Sequence, residues 1–320
     1  MNKDIKKIAQ DVIELEIKGL KKLKKFINPS FTKAVETIAN CQSKVILAGV
    51  GKSGLIASKI AATLSSVGTP SFNLSAGDSS HGDLGSISKK DILILISYSG
   101  QTNELKNVIK YANRNRILLI GIVSKKNSIL YKASDIKILI PQVLESEGIV
   151  PTSSTTTQLA IGDALSIASM KYKKFGKLDF KRFHPAGNLG NKLKTAGDLM
   201  LTKQKIPFIN QNQIMKKALK IINLKRLGFL VVTNNQGLTT GVFTDGDLKR
   251  LMQKKNTIGN IKIKSFMTKK PYMVDQNTLA SEVLKLMNKR KITNVCVYNS
   301  TNKQKTIGVL HIHTLLNNLR

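Results

Sequence analysis

The chain has 320 residues, a net charge of +33 and two cysteines, Cys41 and Cys296. A chain of this length is expected to bury a good core and to hold two or three domains. The cysteines lie far apart without a C-x-x-C partner, which argues against disulfides and structural zinc and fits a reducing compartment. No apolar run reaches the length of a membrane span, and the first residues lack a signal-peptide core, so we expect a soluble, cytoplasmic protein.

The positive charge is carried almost entirely by lysine. Only seven of the 52 basic residues are arginine, aromatic residues make up 5% of the chain, and tryptophan is absent. Nucleic-acid surfaces usually combine arginine with interleaved aromatic side chains, whereas these lysines are spread along polar helix faces. We therefore expect no nucleic-acid partner and a positive field that attracts phosphorylated small molecules.

The first part of the chain has the pattern of an α/β domain. Apolar periodicity over residues 3–40 predicts a pair of helices. Beyond it, apolar runs of the kind expected for buried parallel strands alternate with helical segments. The predicted strands are 44–48, 70–74, 91–96, 117–123 and 136–140, and the predicted helices are 54–67, 102–113 and 155–174. This alternation predicts a three-layer αβα sandwich around a parallel five-stranded sheet, with ligands beyond the carboxyl ends of the strands.

A glycine-rich turn follows the first predicted strand. Residues 49–54 read Gly-Val-Gly-Lys-Ser-Gly and open a helix, so backbone N–H groups and the helix dipole form a seat for an anion. The spacing is not that of a P-loop. It fits a dinucleotide fingerprint poorly, because no acidic residue ends the next strand. The pattern favours phosphate binding, although a plain strand-to-helix turn remains an alternative at this point.

Two more hydroxyl-rich turns precede helices. Residues 97–102 read Ser-Tyr-Ser-Gly-Gln-Thr and are followed by Glu104, and residues 151–157 read Pro-Thr-Ser-Ser-Thr-Thr-Thr. Ordinary capping by Thr102 with Glu104 in the first helical turn is the simpler interpretation of the first cluster. Three hydroxyl-rich turns meet at one edge in this topology, however, and we interpret them as a pocket for a ligand the size of a phosphosugar.

The four histidines fall into two groups. His81 and His184 lie in glycine-rich loops, at 79–85 and 184–190, where functional residues tend to be held. His311 and His313 lie near the C-terminus and are expected to be structural. A lone histidine is more often structural than catalytic, but two in the loops of a phosphate-binding domain favour a site. No cluster has metal-ligand spacing.

An internal repeat follows residue 195. Asp-Leu-Met at 198–200 recurs as Ser-Phe-Met at 265–267, and Gly-Val-Phe at 241–243 recurs as Gly-Val-Leu at 308–310. Each copy reads as a short strand, a helix, two strands and a helix, and two such copies must pair to bury their apolar faces. We predict an α+β tandem pair and domain limits of 1–194, 195–257 and 258–320.

The ordered motifs, with the loops at 81–85 and 184–190 and the C-terminal repeat, resemble arabinose 5-phosphate isomerases. Those proteins join a sugar isomerase (SIS) domain to a tandem pair of CBS modules, and the resemblance covers nearly the whole chain. It implies interconversion of D-arabinose 5-phosphate and D-ribulose 5-phosphate through an enediol, which feeds synthesis of Kdo, an acidic sugar of Gram-negative lipopolysaccharide. It further implies catalysis without a cofactor and a homotetramer, because domains of this kind pair to complete their sites.

The resemblance assigns roles to individual residues. The catalytic set is Lys52, His81, Glu104 and His184. The substrate contacts are Ser53, Ser97, Ser99 and Thr102 for the phosphate, Gly68, Thr69 and His81 for the sugar, and Ser153 and Ser154 in the third turn. His184 or Glu104 would shuttle the proton and Lys52 would stabilise the oxyanion, while His81 would orient the sugar hydroxyls or assist ring opening.

The chain departs from the family pattern at several places, among them Ser75, the segment 145–150 and Ala186, which replaces a glycine. Ser75 stands where relatives often have a histidine proposed to contact zinc, which puts metal binding in doubt; in that family zinc looks inhibitory rather than required. The segment 145–150 is expected to be shorter than in relatives.

In the first repeat, residues 241–247 match the G-h-h-T-x-x-D pattern that can hold a ribosyl phosphate. Thr244 and Asp247 are the candidate contacts for a nucleotide or sugar-nucleotide effector. The second copy has His311 and Thr314 at the corresponding places, so its site is expected to be lost. Alternatively, both copies serve only assembly.

Two other functions stay open from the sequence. One is an isomerase of another phosphosugar, such as a hexulose phosphate, against which the tandem repeat and the His184 loop argue. The other is a non-catalytic phosphosugar sensor, against which retention of Lys52, Glu104 and both loop histidines argues.

Overall fold

The computed structural model describes residues 4–77, 82–183, 193–254 and 258–319. The chain divides into two compact units, Met1–Phe183 and His184–Arg320. The predicted site residues His81 and His184 lie outside the described residues. Within the described part of the chain, no helix has the length and apolar character needed to cross a membrane.

The first unit alternates helices and strands as the sequence predicts. Its described helices are α1 (Ile5–Lys24), α2 (Pro29–Ala39), α3 (Lys52–Ser66), α4 (Leu105–Asn115), α5 (Ile129–Ala133), α6 (Ser153–Tyr172) and α7 (Lys177–Phe183). Its strands are β1 (Val45–Gly49), β2 (Ser71–Ser75), β3 (Ile92–Ile96), β4 (Leu118–Val123) and β5 (Ile136–Leu139), with a short 3-10 helix at Asp83–Ser86. All five predicted strands are present within one or two residues of their expected ends.

These strands form one parallel sheet in the order β2-β1-β3-β4-β5. Side chains alternate between the two faces: Val45 and Leu47 pack with residues of α2, α3 and α6, whereas Ile46 and Ala48 pack with residues of α4 and α5. The sheet is thus covered on both sides, which explains its continuous apolar strands. The prediction of a three-layer αβα sandwich is confirmed.

The helix pair predicted over residues 3–40 is also confirmed. Asp4 accepts the N–H of Lys7 at the start of α1, and Asn28 caps α2 ahead of a proline at its first position. Both arrangements are common helix starts, because they satisfy N–H groups that lack a partner inside the helix.

The second unit contains the repeat. Its described helices are α8 (Ala196–Leu199), α9 (Met215–Lys225), α10 (Asp245–Lys254), α11 (Ala280–Arg290) and α12 (Ile312–Asn318), with 3-10 turns at Lys203–Lys205 and Ile263–Ser265. Its strands are β6 (Leu201–Thr202), β7 (Phe208–Asn210), β8 (Phe229–Thr233), β9 (Thr239–Thr244), β10 (Thr268–Lys269), β11 (Met273–Asp275), β12 (Asn294–Tyr298) and β13 (Gly308–His311). The mixed sheets and flanking helices confirm the α+β class.

The two copies of the repeat exchange their first strands. The sheets have the orders β10-β9-β8-β7 and β11-β12-β13-β6, so β6 of the first copy pairs with β13 of the second, and β10 pairs with β9. The glycines make room for the exchange: a Cβ on Gly308 would lie 2.2 Å from the sulfur of Met200, and a Cβ on Gly241 would lie 2.8 Å from that of Met267. Each copy therefore completes the other's sheet.

Candidate active site

The strand order places a crevice between β1 and β3. From β1 the chain moves outward to β2 and then returns to the other side of β1 to form β3. The helix after β1 packs on one face of the sheet, and the helix after β3 packs on the other. Such a switch in direction opens a crevice at the carboxyl ends of the two strands, where ligands of open α/β sheets bind. The turns at 49–54 and 97–102 flank this crevice.

The first turn brings strand and helix unusually close. A Cβ on Gly49 would lie 2.7 Å from the backbone of Ser53, and one on Gly54 would lie 2.9 Å from the carbonyl oxygen of Gly49. Gly51 has φ 56° and ψ −127°, a conformation that glycine alone adopts readily, and no described atom lies within 4 Å of its Cβ position. The turn is thus tightly folded against the sheet but open on the outer side of Gly51.

The second turn is held by its own hydroxyls. The Oγ of Ser97 lies 2.8 Å from Oγ1 of Thr102 and accepts the N–H of Gly100 at 3.0 Å, while the Oγ of Ser99 accepts the N–H of Gln101 at 3.2 Å. Thr102 does not cap a helix with its side chain, because α4 begins only at Leu105. The capping interpretation of this cluster is therefore wrong.

The helices that start beside the crevice carry no side-chain caps. The residues preceding α3 and α4 are Gly51 and Glu104, and neither helix receives a side-chain hydrogen bond at its start. In α4 the N–H groups of Leu105 and Lys106 already bond to backbone carbonyl oxygens, so what both helices offer an anion is the positive end of the helix dipole.

Lys52 and Glu104 stand at these two helix starts. Both side chains are exposed, and neither makes a hydrogen bond or ion pair within the described part of the chain. A cation and a carboxylate at one edge of a sheet, without partners, can act on a bound molecule rather than on the fold.

The third turn is closed by a residue that the sequence analysis did not single out. One carboxylate oxygen of Glu145 accepts the N–H groups of Thr152 at 2.9 Å and Ser154 at 3.3 Å, and the hydroxyls of Ser146 and Thr152 lie 2.9 Å apart. The start of α6 thus already holds an internal anion. Unlike the turns at 49–54 and 97–102, this turn is therefore not open to a phosphate.

Ser153 does not face the crevice. Its side chain is fully buried, and its Cβ lies 3.8 Å from the position of a Cβ on Gly19 of α1. Its Oγ has no hydrogen-bond partner among the described residues. Ser153 therefore packs in the contact between α1 and α6, and its predicted role in substrate binding stays a prediction. Ser154 is also buried, 3% exposed.

A different residue joins α6 to the first turn. The Oγ of Ser53 donates to Oε1 of Gln158 at 3.1 Å, and Gln158 is 1% exposed. This bond fixes the Ser53 hydroxyl at the start of α3.

Gly68 and Thr69 lie at the opposite edge of the sheet. Nζ of Lys173 donates to the carbonyl of Gly68 at 2.8 Å and to Oγ1 of Thr69 at 2.6 Å. Lys173 follows the last residue of α6, whereas Ser154 stands at its start, about 30 Å away for a helix of 20 residues. Within one chain, Gly68 and Thr69 therefore cannot line the same pocket as the hydroxyl turns, because they precede β2 instead of following it.

Ser75, which stands where relatives often have a histidine, lies at the carboxyl edge of the sheet. Ser75 ends β2, next to Gly49 in the sheet register, and is exposed. Among the described residues, which leave out His81 and His184, no group of three histidine, cysteine or acidic side chains is placed to hold a metal ion.

Comparison with known proteins identifies the family. Residues 38–168 match the SIS domain family, and residues 196–254 and 263–320 match the CBS domain family. A curated relative from Yersinia pestis, arabinose 5-phosphate isomerase KdsD, is 40% identical over 98% of this chain and 95% of its own length. The protein of the same name from Salmonella typhi is 38% identical over the same shares. The chain belongs to the arabinose 5-phosphate isomerase family.

A solved structure supports this at the level of the fold. The protein c3406 of E. coli CFT073, in complex with arabinose 5-phosphate, is 35% identical, with a TM-score of 0.56 over 58% of this chain and 100% of that chain. The arabinose 5-phosphate isomerase family thus accounts for both the doubly wound sheet and the tandem repeat.

The CBS pair contains a cavity of about 570 Å³. Both copies line it: Thr244, Asp247 and Arg250 come from the first, and Asn294 and His311 from the second. Asp247 accepts the N–H and the hydroxyl of Thr244, both at 2.9 Å, and is paired with Arg250. The volume falls in the range of small-molecule sites, and the mixture of cations and acidic side chains suits a ribosyl phosphate.

His311 has a structural role beside that cavity. Its Nδ1 accepts the N–H of His313 at the start of α12, and the two rings stack with centroids 5.0 Å apart. Burial lowers the pKa of His311, and the neighbouring His313 lowers it further.

Three residues beside the candidate active site were not singled out from the sequence. They are Tyr98, Glu145 and Gln158, which bond to groups that no local pattern points to. The available signal was weak: Tyr98 lies inside a motif otherwise made of smaller residues, and Glu145 lies in the segment predicted to be unusually short.

Proposed function

We propose that this protein interconverts D-arabinose 5-phosphate and D-ribulose 5-phosphate, and so supplies the synthesis of Kdo and lipopolysaccharide. The observation that carries the proposal is the pair Lys52 and Glu104, exposed and without partners in the described chain, beside two uncapped helix starts at the crevice of the sheet. The names of the full-length relatives support the same reaction and substrate.

The phosphate is proposed to bind at the helix starts of α3 and α4. Ser53, Ser97, Ser99 and Thr102 supply hydroxyls there, and the positive ends of the two helix dipoles add to the attraction. Ser97 and Thr102 now bond to each other, so they would exchange that bond for bonds to phosphate oxygens. Charge-assisted hydrogen bonds of this kind are stronger than the neutral one they replace.

The chemical step is the movement of one proton between adjacent carbons. Glu104 or His184 takes the proton from the hydroxyl-bearing carbon next to the carbonyl while the carbonyl oxygen gains a proton, which gives the enediol. The proton then returns to the former carbonyl carbon as the adjacent hydroxyl loses its proton and becomes the new carbonyl. Lys52 stabilises the negative charge that develops on oxygen. His81 orients the sugar hydroxyls or assists ring opening. The reaction needs no net oxidation, so we propose that it proceeds without a cofactor.

The remaining predictions extend this proposal. We propose a cytoplasmic homotetramer in which Gly68 and Thr69 reach a site only if a second copy brings them there. The domain limits 1–194, 195–257 and 258–320 stay predictions; the chain divides structurally at 183/184, and most of the interval to 194 lies outside the described residues.

The test is direct turnover. Purified protein is incubated with arabinose 5-phosphate in the presence of a chelator, and ribulose 5-phosphate is measured over time. We expect conversion by the wild-type protein and a loss of at least about a hundredfold in Glu104→Gln. Glu14→Gln, which removes an exposed carboxylate from α1, serves as the matched control and should turn over normally.

Two outcomes would redirect the assignment. Binding of arabinose 5-phosphate without conversion would favour a phosphosugar sensor. Conversion of a hexulose phosphate in preference to the pentose phosphate would favour another phosphosugar isomerase.

We propose further that the CBS cavity binds a nucleotide or sugar-nucleotide effector through Thr244 and Asp247. AMP serves as the probe in isothermal titration calorimetry with the full chain. Asp247→Ala should abolish binding, and Thr314→Ala, at the corresponding place in the second copy, should leave it unchanged. Equal binding by wild type and Asp247→Ala would contradict a role of Asp247 in binding, and no binding by the wild-type protein would favour a role of the pair in assembly alone.

A further inference from the structure

The turn at 97–102 is tied to a segment more than forty residues away. The phenol oxygen of Tyr98 accepts the N–H of Val143 at 2.7 Å and lies 3.5 Å from the carbonyl oxygen of the same residue. Tyr98 lies between Ser97 and Ser99, the two serines proposed to bind phosphate. Its ring packs against the face of the core that includes α2, α3 and α6, so the side chain points away from the Ser97 hydroxyl.

The backbone of Tyr98 is fixed as well. Its carbonyl oxygen accepts both the N–H of Ser124 at 3.0 Å and the hydroxyl of Ser124 at 2.7 Å. Ser124 follows β4, the strand next to β3. The main chain is thus held by the sheet and the side chain by the segment around Val143.

That segment is in turn fastened to α6. Glu145 accepts two N–H groups at the start of the helix, where the dipole and the charge both strengthen the bonds. A continuous set of contacts therefore runs from the turn through Val143 and Glu145 to α6. Burial raises the pKa of Tyr98, the Val143 N–H opposes this, and the charge of Glu145 raises the pKa further, so the phenol stays protonated at neutral pH.

We propose that Tyr98 is a positioning residue that sets the places of the Ser97 and Ser99 hydroxyls by tying their turn to the segment around Val143. Tyr98 itself does not touch the substrate. The proposal rests on the proposed function only in naming a phosphate as the group that the turn binds. Its consequence is a specific kinetic signature: loss of the phenol hydroxyl weakens the hold on the phosphate and leaves the proton transfer intact.

The variant that tests this is Tyr98→Phe, which keeps the packed ring and removes only the hydroxyl. The dissociation constant of inorganic phosphate is measured by calorimetry, together with KM and kcat for arabinose 5-phosphate and the melting temperature. We expect the phosphate dissociation constant and KM to rise together by roughly tenfold, with kcat within about twofold, since a small displacement of binding groups is costly. Tyr111→Phe, on α4 across the sheet, is the matched control and should change none of them.

A second pair of variants covers the case in which Tyr98→Phe does not fold. Glu145→Gln loosens the segment without altering Tyr98, and it should weaken phosphate binding in the same direction by a few-fold. Glu147→Gln removes an equal charge two residues away, from an exposed side chain, and should have no effect.

Several results would overturn the proposal. A lower melting temperature with unchanged phosphate binding and KM would reduce Tyr98 to a structural residue. A fall in kcat with unchanged phosphate binding would place its hydroxyl at the reacting carbons. A wild-type protein that binds no phosphate would show that phosphate is not the ligand of this turn. A wild-type protein that binds phosphate and does not isomerise would contradict the proposed function only, because the calorimetric comparison of Tyr98→Phe would still decide the inference.

Discussion

The two edges of the parallel sheet use charge in opposite ways. At the amino edge, Asp91 is buried and accepts hydrogen bonds from Ser43 at 2.6 Å and the N–H of Ser88 at 2.6 Å, with Lys44 at 3.0 Å. At the carboxyl edge, Lys52 and Glu104 are exposed and have no partner in the described chain. Charges that hold a fold are satisfied within it. The contrast supports a structural role for the charges at the first edge and the proposed chemical role for those at the second.

The largest effect is expected from removing a charge at the carboxyl edge. Lys52→Met should lower kcat by about a hundredfold or more, because the developing oxyanion loses its cation. The melting temperature should stay within about 2 °C of wild type, because a surface substitution without a lost partner changes stability little. Lys59→Met, about two turns further along α3 and paired with Asp163, is the control and should keep its activity. Normal turnover in Lys52→Met would contradict the proposal that the charges at the carboxyl edge act in the reaction.

A smaller effect is expected from the backbone of the first turn. Gly51→Ala should destabilise the fold by about 1–3 kcal/mol and weaken phosphate binding, since the residue has φ 56° yet has open space around it. Urea unfolding and phosphate calorimetry measure the two effects. Gly259→Ala also adds a methyl group into open space, but without a positive φ, and should be close to neutral. If both variants behaved alike, strain in the turn would not be the cause.

The amino edge should respond in stability alone. Asp91→Asn keeps the shape of the side chain but loses the charge, and we expect a loss of about 1–2 kcal/mol in the free energy of unfolding with unchanged kcat. Chemical denaturation at pH 7 measures the first quantity and the isomerase assay the second. A fall in kcat per folded molecule would show that this edge contributes to the reaction.

The same residue predicts a pH dependence. Burial alone would raise the pKa of Asp91, but the hydrogen bonds from Ser43, Ser88 and Lys44 outweigh it and hold the pKa below its ordinary value of 3.8. A lowered pKa in the folded state stabilises the protein above the ordinary value, and that contribution is lost as the pH falls through the folded pKa. The stability difference between wild type and Asp91→Asn should therefore be constant near neutral pH and shrink below about pH 4. A difference that grew on acidification would contradict this.

Local pattern was enough for most of the fold. The five strands, the sheet they form and the helices around it follow from apolar runs and periodicity, because burial on both faces leaves little freedom to the sequence. The repeat was likewise visible in Met200 and Met267 and in Gly241 and Gly308. The repeat did not show that each methionine packs on the glycine of the other copy. The two copies would have equally similar sequences whether or not they exchanged strands.

The site was predicted less completely, for a physical reason. Turns next to strands, such as 49–54 and 97–102, follow from topology, which puts them at one edge. Side chains that bond across the fold do not: Glu145 filled a helix start that the hydroxyl pattern alone left open, and the small volume of Ser153 fitted a helix contact as well as a pocket. A local sequence pattern shows which groups are polar, but it does not show which distant residue forms a hydrogen bond with them.

The smallest expected effect tests the comparison of the two edges most closely. It concerns Thr69, which the sequence analysis assigned to the substrate pocket and the structure places at the amino edge. Thr69 is 2% exposed, and its hydroxyl oxygen accepts a hydrogen bond from the ammonium of Lys173. Burial lowers the pKa of Lys173, and Cys41 partly offsets this shift. Thr69→Val keeps the shape and removes the hydroxyl, so we expect a loss of about 1 kcal/mol in the free energy of unfolding and an unchanged KM. Thr63→Val, which removes a hydroxyl that bonds within α3, controls for the substitution itself. If KM for arabinose 5-phosphate rose several-fold in Thr69→Val alone, the hydroxyl would contact sugar after all. Because α6 separates the two edges within one chain, that contact would have to come from a second copy, and the amino edge would then be structural in its own chain and functional in its neighbour.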